Sequence, residues 1–277
     1  MPTPSKEHAA LAERYTLGLQ LPALTGLSGL MKGRGTGSSV EFQDHRKYFM
    51  GDDIRKLDWR AYARTDQLMV KRYREEVRPT LELLVDDSKS LAQGKAQRIV
   101  DVVAGLARAA EADGFLVRLL VGGRRVGLDE VMGSGLEFSS RMPLQELVQR
   151  SVSRLRPGSV RLLVSDFLSP HAATAVVRSL ASGAGTVGLV QVLSAFDARP
   201  EEGGAVRLID SETDELIDLV LDAPTIRLYL ERLTALSEAL REEVRRAGGV
   251  FVRVRADKSL DEECSEVLVP HGLLAVR

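Results

Sequence analysis

The stretch Leu81-Glu82-Leu83-Leu84-Val85-Asp86-Asp87-Ser88-Lys89-Ser90 decides the fold. A mostly apolar run of strand length ends in acid, and hydroxyl side chains at alternate positions then open a loop. A strand covered on both faces reads this way, because it loses the polar–apolar alternation of a half-exposed one. Beyond the loop, 95–113 carries Ile99, Val102, Val103, Leu106 and Ala110 at the spacing of one helix face, and Gly114 stops it. Strand, loop and helix together are the opening unit of an α/β sheet, and the carboxyl end of such a strand is where these sheets bind ligands.

The pattern continues outward. Segments 115–121 and 124–128 flank Gly122-Gly123, which predicts a hairpin and so an antiparallel strand at the sheet edge. Helices are predicted over 143–155, 170–181 and 224–247, the last closed by Gly248-Gly249, and strands over 160–166, 185–193 and 250–255. Short apolar runs at 205–209 and 216–221 face each other across the polar tip Ser211-Glu212-Thr213-Asp214, and a short helix and tail follow Leu260. The expectation is one α/β domain over 79–277: a mostly parallel sheet with helices on both faces and one antiparallel edge strand. Residues 1–78 are expected to form an N-terminal extension. Its 5–32 region has leucines at irregular helical spacing, 32–39 is a glycine- and serine-rich loop, and 40–78 is dense in charge, with Trp59 and three of the five tyrosines.

Lysine plus arginine (38) nearly cancels aspartate plus glutamate (39), so the whole-chain field gives no reason to expect nucleic acid as a partner. The single cysteine, Cys264, cannot form an internal disulfide, and His8, His45, His171 and His271 lack zinc-ligand spacing. No apolar run approaches the roughly 20 residues that span a bilayer. A cytoplasmic, prokaryotic protein is the expectation.

Mg²⁺ prefers oxygen ligands in near-octahedral geometry and keeps several waters, so one carboxylate and two hydroxyls from a single loop can supply part of its shell. Asp86, Ser88 and Ser90 fit that task, with Mn²⁺ as the alternative ion. A second buried strand, Leu162-Leu163-Val164-Ser165-Asp166, also ends in acid, and on a neighbouring parallel strand Asp166 converges with Asp86. The competing reading of these residues is helix capping. Serine ligands are neutral, which leaves the ion positive enough to accept a carboxylate from a protein partner. A metal-dependent phosphatase-like hydrolase using Asp86 and Asp166 is the enzymatic alternative. Its usual second acid, two residues after the nucleophile, is Ser88 here, so a non-enzymatic role is preferred.

The pattern Asp86-x-Ser88-x-Ser90 with Asp166 on a later strand resembles the metal-ion-dependent adhesion site of von Willebrand factor A domains. There a threonine from an intervening loop completes the ligands. The corresponding loop, Gly133-Ser134-Gly135-Leu136-Glu137-Phe138-Ser139-Ser140, has none, so the resemblance assigns that place to Ser139 or Ser140. Upstream, Gly37-x3-Glu41-Phe42-x-Asp44-x-Arg46-x-Tyr48-x2-Gly51-Asp52-Asp53-x-Arg55-x2-Asp58-Trp59-x3-Ala63-Arg64 closely resembles the hallmark of the bacterial family called domain of unknown function 58. That resemblance implies a von Willebrand factor A-like (Rossmann-like) fold, a short soluble member without the membrane hairpin of many relatives, and a MoxR-type AAA+ ATPase as partner. Arg46, Asp52, Asp53, Arg55, Asp58 and Arg64 are expected to form a charge-assisted clasp that ties the extension to the sheet, with Trp59 and Tyr62 packed beneath. The rival reading makes the same residues a partner-facing patch anchored by arginine and tryptophan.

Overall fold

A computed structural model describes residues 1–19, 40–75, 78–169, 172–209 and 215–277. The 32–39 loop, the 211–214 tip and the start of the 170–181 helix lie outside the described residues, as do the side chains of 40–44 and 71–75. The chain divides into a larger unit, 1–23 with 79–277, and a smaller one, 24–78.

The larger unit is built on a six-stranded sheet. Its strands are β1 (Thr80–Val85), β2 (Leu116–Val121), β3 (Arg124–Val126), β4 (Val160–Ser165), β5 (Thr186–Leu193) and β6 (Val250–Arg255). Their spatial order is β3-β2-β1-β4-β5-β6. All neighbours are parallel except β2 and β3, which pair antiparallel as predicted. Gly122 and Gly123 turn that hairpin with φ of 55° and 76°, a conformation costly for any residue with a Cβ. The chain order reverses between β1 and β4, and at this switch point the loops after the two strands diverge and leave a crevice.

Helices cover both faces. Leu81, Leu83 and Val85 pack in one apolar cluster with helix Ala96–Ala112 and Leu11 of helix Glu7–Arg14. Leu84 belongs to a second cluster with helices Leu144–Val152, Ala173–Ala181 and Ala223–Arg246. Burial on both sides is the reason β1 reads as nearly continuous hydrophobicity. Its one charged residue, Glu82, is fully buried and accepts from Arg118 Nη1 at 2.5 Å and from Arg156 N at 3.0 Å.

The expected extension over 1–78 is divided. Residues 1–23 belong to the larger unit: helix Glu7–Arg14 packs on helix Ala96–Ala112, and Tyr15–Leu17 pairs antiparallel with a terminal strand, Leu274–Val276. Short three-residue strands leave no periodicity to read, and their pairing is long-range. A helix at Leu128–Ser134 also escaped prediction. The hairpin Gly204–Ile209/Leu216–Leu221 forms as expected.

The smaller unit pairs strand Val40–Lys47 with Met69–Glu75. Helix Trp59–Thr65 starts at Asp58, whose Oδ1 accepts from the amides of Arg60 and Ala61 at 2.9 and 3.1 Å, a side-chain N-cap. Arg46 grips Asp52 with two bonds of 2.7 and 2.6 Å, and Phe49 N adds a third at 2.9 Å. These bonds hold Asp52 below the usual carboxylate range.

Much of the clasp reading is corrected. The Arg46–Asp52 pair is local, closing the turn after its own strand. Arg55 pairs with Asp53 two residues away on the surface, and Arg64 donates to the carbonyl of Arg60 in its own helix. Trp59 is 58% exposed and Tyr62 39%, their rings edge-on at 6.4 Å, so neither is a buried side chain. The cap explains it: with Asp58 fixed as N-cap, Trp59 takes the first helical position, and the side that turns inward carries Leu57 and Ala61.

Candidate functional site

Asp86 and Asp166 leave the same edge of the sheet from neighbouring strands. Val85 lies opposite Val164, and Asp86 N donates to the Val164 carbonyl at 3.0 Å, which places Asp86 beside Ser165. The Asp86 carboxylate is buried. Its Oδ1 accepts from Ser88 N at 2.9 Å and its Oδ2 from Ser165 Oγ at 2.6 Å. Burial pushes its pKa up to about 6; the bonds from Ser165 and Ser88 oppose the rise, and the charge of Asp166 adds to it. Ser165 Oγ in turn accepts from Phe167 N at 3.0 Å. Phe167 is a buried residue in the left-handed region, φ 59°, so the turn that presents Asp166 is held in a conformation a bulky side chain seldom adopts.

The Ser88 and Ser90 hydroxyls lie 3.1 Å apart. Adjacent ligands of an octahedral ion bonded at about 2.1 Å stand about 3 Å apart, so the pair suits two neighbouring coordination positions. The 133–140 loop joins this edge through its backbone: Ser140 N donates to the Asp87 carbonyl and Lys89 N to the Ser140 carbonyl, each at 3.0 Å. Its hydroxyls are turned elsewhere. Ser139 Oγ donates to Glu137 at 3.0 Å, while Ser140 Oγ accepts from Met142 N at 3.1 Å and bonds Asp87.

Asp166 already has a cation. Lys95 Nζ donates to its Oδ2 at 2.6 Å and lies 3.2 Å from Asp197 Oδ2, with the lysine side chain only 5% exposed. Burial lowers the Lys95 pKa, but the two carboxylates outweigh burial and leave the ammonium above its ordinary value. Asp166 Oδ1 accepts from Leu168 N at 3.0 Å. Asp197 is fixed by a reciprocal cap with Ser194, and Gln191 secures the Asp166 carbonyl at 2.9 Å. A cleft of about 690 Å³ opens here, lined by Ser90, Lys95, Asp166, Ser194, Phe196 and Asp197 among others.

The six expected ligands therefore divide. Asp86, Ser88 and Ser90 fit a hard dication in donor type and spacing. Asp166 is close but engaged in an ion pair, and Ser139 and Ser140 spend their hydroxyls outside the cluster. Among the described residues no three His, Cys, Asp or Glu side chains converge as a metal-ligating group, so any ion here depends on hydroxyl ligands. Lys95, Ser165, Gln191 and Asp197 went unread in the sequence. Asp197 had a signal, since Ser194-Ala195-Phe196-Asp197 follows a predicted strand in capping-box spacing. Lys95 had none.

The sheet, its switch point and the acid–hydroxyl edge define an α/β protein with a crevice at the carboxyl ends of β1 and β4. Residues 44–130 match the family described as "Protein of unknown function DUF58". The match includes the Asp86–Ser90 loop and stops before Ser139, Ser140 and Asp166. No curated protein matches the chain. One similar solved structure is titled conserved hypothetical protein BatB from Bacteroides thetaiotaomicron: 14% identity over 68% of this chain and 96% of that one, TM-score 0.41. Another is an aerotolerance-related membrane protein from Bacteroides fragilis NCTC 9343, at 16% identity, the same coverages and TM-score 0.40. Among the described residues no helix is long and apolar enough to cross a membrane.

Proposed function

We propose that this chain is a non-enzymatic protein-interaction module of von Willebrand factor A-like fold that captures its partner at the carboxyl edge of the sheet. Asp86, Ser88 and Ser90 would hold Mg²⁺ or Mn²⁺, with water in the remaining positions. Bound there, the ion supplies a Lewis-acidic seat for a carboxylate from the partner protein. The observation that carries the reading is the 3.1 Å approach of the Ser88 and Ser90 hydroxyls beside the buried Asp86 carboxylate, an arrangement suited to a small hard ion. A loop of one acid and neutral hydroxyls leaves an ion electrophilic toward an outside ligand, as a recognition site requires. Family resemblance points to a MoxR-type AAA+ ATPase as partner, and the short apolar runs and single cysteine of the sequence favour a cytoplasmic setting. The exposed Trp59 and Tyr62 favour the partner-facing reading of the smaller unit, since exposed aromatic side chains are common interface anchors.

The test is calorimetric titration of the purified chain with Mn²⁺, followed by capture of a MoxR-type ATPase with and without Mg²⁺. The expected result is saturable binding lost in Asp86→Ala, and capture lost in EDTA. Equal Mn²⁺ binding by wild type and Asp86→Ala would overturn the metal assignment, and capture unchanged by EDTA would overturn the bridging role.

A further inference from the structure

Among the described residues, the one cation that faces both Asp166 and Asp197 is Lys95. Lys95 lies between Gly94, whose φ of 71° turns the backbone, and the first turn of helix Ala96–Ala112. From there its side chain runs under the carboxyl edge to Asp166 and Asp197. A buried lysine is costly unless paired, and here it donates to one carboxylate at 2.6 Å with a second at 3.2 Å. Asp166 and Asp197 set two carboxylates against this single ammonium, and Asp86 ends the neighbouring strand.

We propose that Lys95 is a built-in counter-cation that competes with a divalent ion for Asp166, so that the ion pair and direct coordination by Asp166 are alternative states of one site. The proposal rests on the metal reading above and adds its regulation. A dication on the Asp166 carboxylate would stand within a few ångström of the ammonium, and two cations that close in a poorly solvated site repel strongly. Asp197 gives Lys95 somewhere to go. Its carboxylate is anchored by Ser194 Oγ at 2.7 Å and Ser194 N at 3.0 Å, so the ammonium can settle there without losing a charged partner. With Lys95 on Asp166, the ion keeps only Asp86, Ser88 and Ser90 and binds weakly. With Lys95 shifted to Asp197, Asp166 joins the shell.

The experiment is a double-mutant cycle on the full chain: Mn²⁺ affinity by calorimetry for wild type, Lys95→Met, Asp166→Asn and the two combined. Lys95→Met is expected to bind Mn²⁺ at least ten-fold more tightly than wild type, whereas the same change in the Asp166→Asn background alters affinity less than two-fold. Lys95→Met leaves buried carboxylates unpaired. Should it fail to fold in metal-free buffer, Mn²⁺ is expected to restore a cooperative thermal transition, and the double variant, which removes both charges, folds in either buffer. Equal affinity for wild type and Lys95→Met overturns the proposal while leaving the metal site standing. So does an equal gain in the Asp166→Asn background, or a Lys95→Met protein that Mn²⁺ cannot refold. Folded wild type and Lys95→Met that both ignore Mn²⁺ overturn the metal site itself.

Discussion

Both ends of the central sheet bury charge, and they treat it differently. At the amino end Glu82 is matched by Arg118, and Arg161 on the adjoining strand donates to the carbonyls of Leu180 and Ser182 at 2.8 and 2.7 Å. Opposite charges there meet one another or main-chain oxygens. At the carboxyl end Asp166 and Asp197 share one ammonium, and Asp86 on the neighbouring strand end is held by hydroxyl and amide donors rather than by a base. An edge that accumulates like charge has been spared from pure stabilisation, and such imbalance is a mark of binding sites.

The largest expected effect belongs to the amino end. Arg118→Met strands the fully buried Glu82 and is expected to destabilise the fold by about 3–5 kcal/mol in urea melts, with Mn²⁺ affinity unchanged. A loss under 1 kcal/mol would mean that the two ends do not differ as described.

Next comes the pH response of the carboxyl end. Asp86 titrates near 6 when folded, against 3.8 for the ordinary carboxyl, so the native state holds this proton more tightly than the unfolded chain does. The stability contributed by this group is therefore full below about pH 4 and falls as pH rises toward 6, by about 3 kcal/mol in metal-free buffer. Melts in EDTA between pH 4 and 7 measure the slope. Asp86→Asn, which keeps an acceptor for Ser165, is expected to flatten it, and a variant with the wild-type slope would assign the titration elsewhere.

Smaller effects separate recognition from folding. Ser88→Ala removes a hydroxyl bonded to Asp86 and Ser90 and is expected to cost about 1 kcal/mol in stability while abolishing Mg²⁺-dependent capture. Trp59→Ala, at an exposed position, is expected to change stability by only about 0.5 kcal/mol while weakening ATPase capture. A Trp59→Ala protein that melts far below wild type would restore the buried clasp.

These differences also explain what the sequence could reveal. The strand 80–85, its loop and the Gly122-Gly123 hairpin were legible because they follow from local patterning: burial on both faces writes continuous hydrophobicity, and a tight turn demands glycine. Asp86 and Asp166 were legible as strand-end acids that parallel pairing must bring together. Lys95 was not, because one lysine at a helix start looks like any solvated residue until the fold closes over it. Trp59 misled for a related reason: apolar character alone does not say which way the first turn of a capped helix will face. The Tyr15–Leu17 pairing with Leu274–Val276 was invisible because its partners have no common local signal.

That last pairing has a kinetic consequence. Arg277 Nε reaches the Tyr15 carbonyl across 262 residues, so the contact closes a loop nearly as long as the chain. Closing so long a loop carries a large entropic cost and rewards only a three-residue strand pair, so it should form after the sheet rather than nucleate it. On the ribosome the strand Tyr15–Leu17 must wait, without its strand partner, until Leu274–Val276 leave the exit tunnel. A nascent chain stalled short of Leu274 would thereby carry a formed sheet with an unclasped leading end.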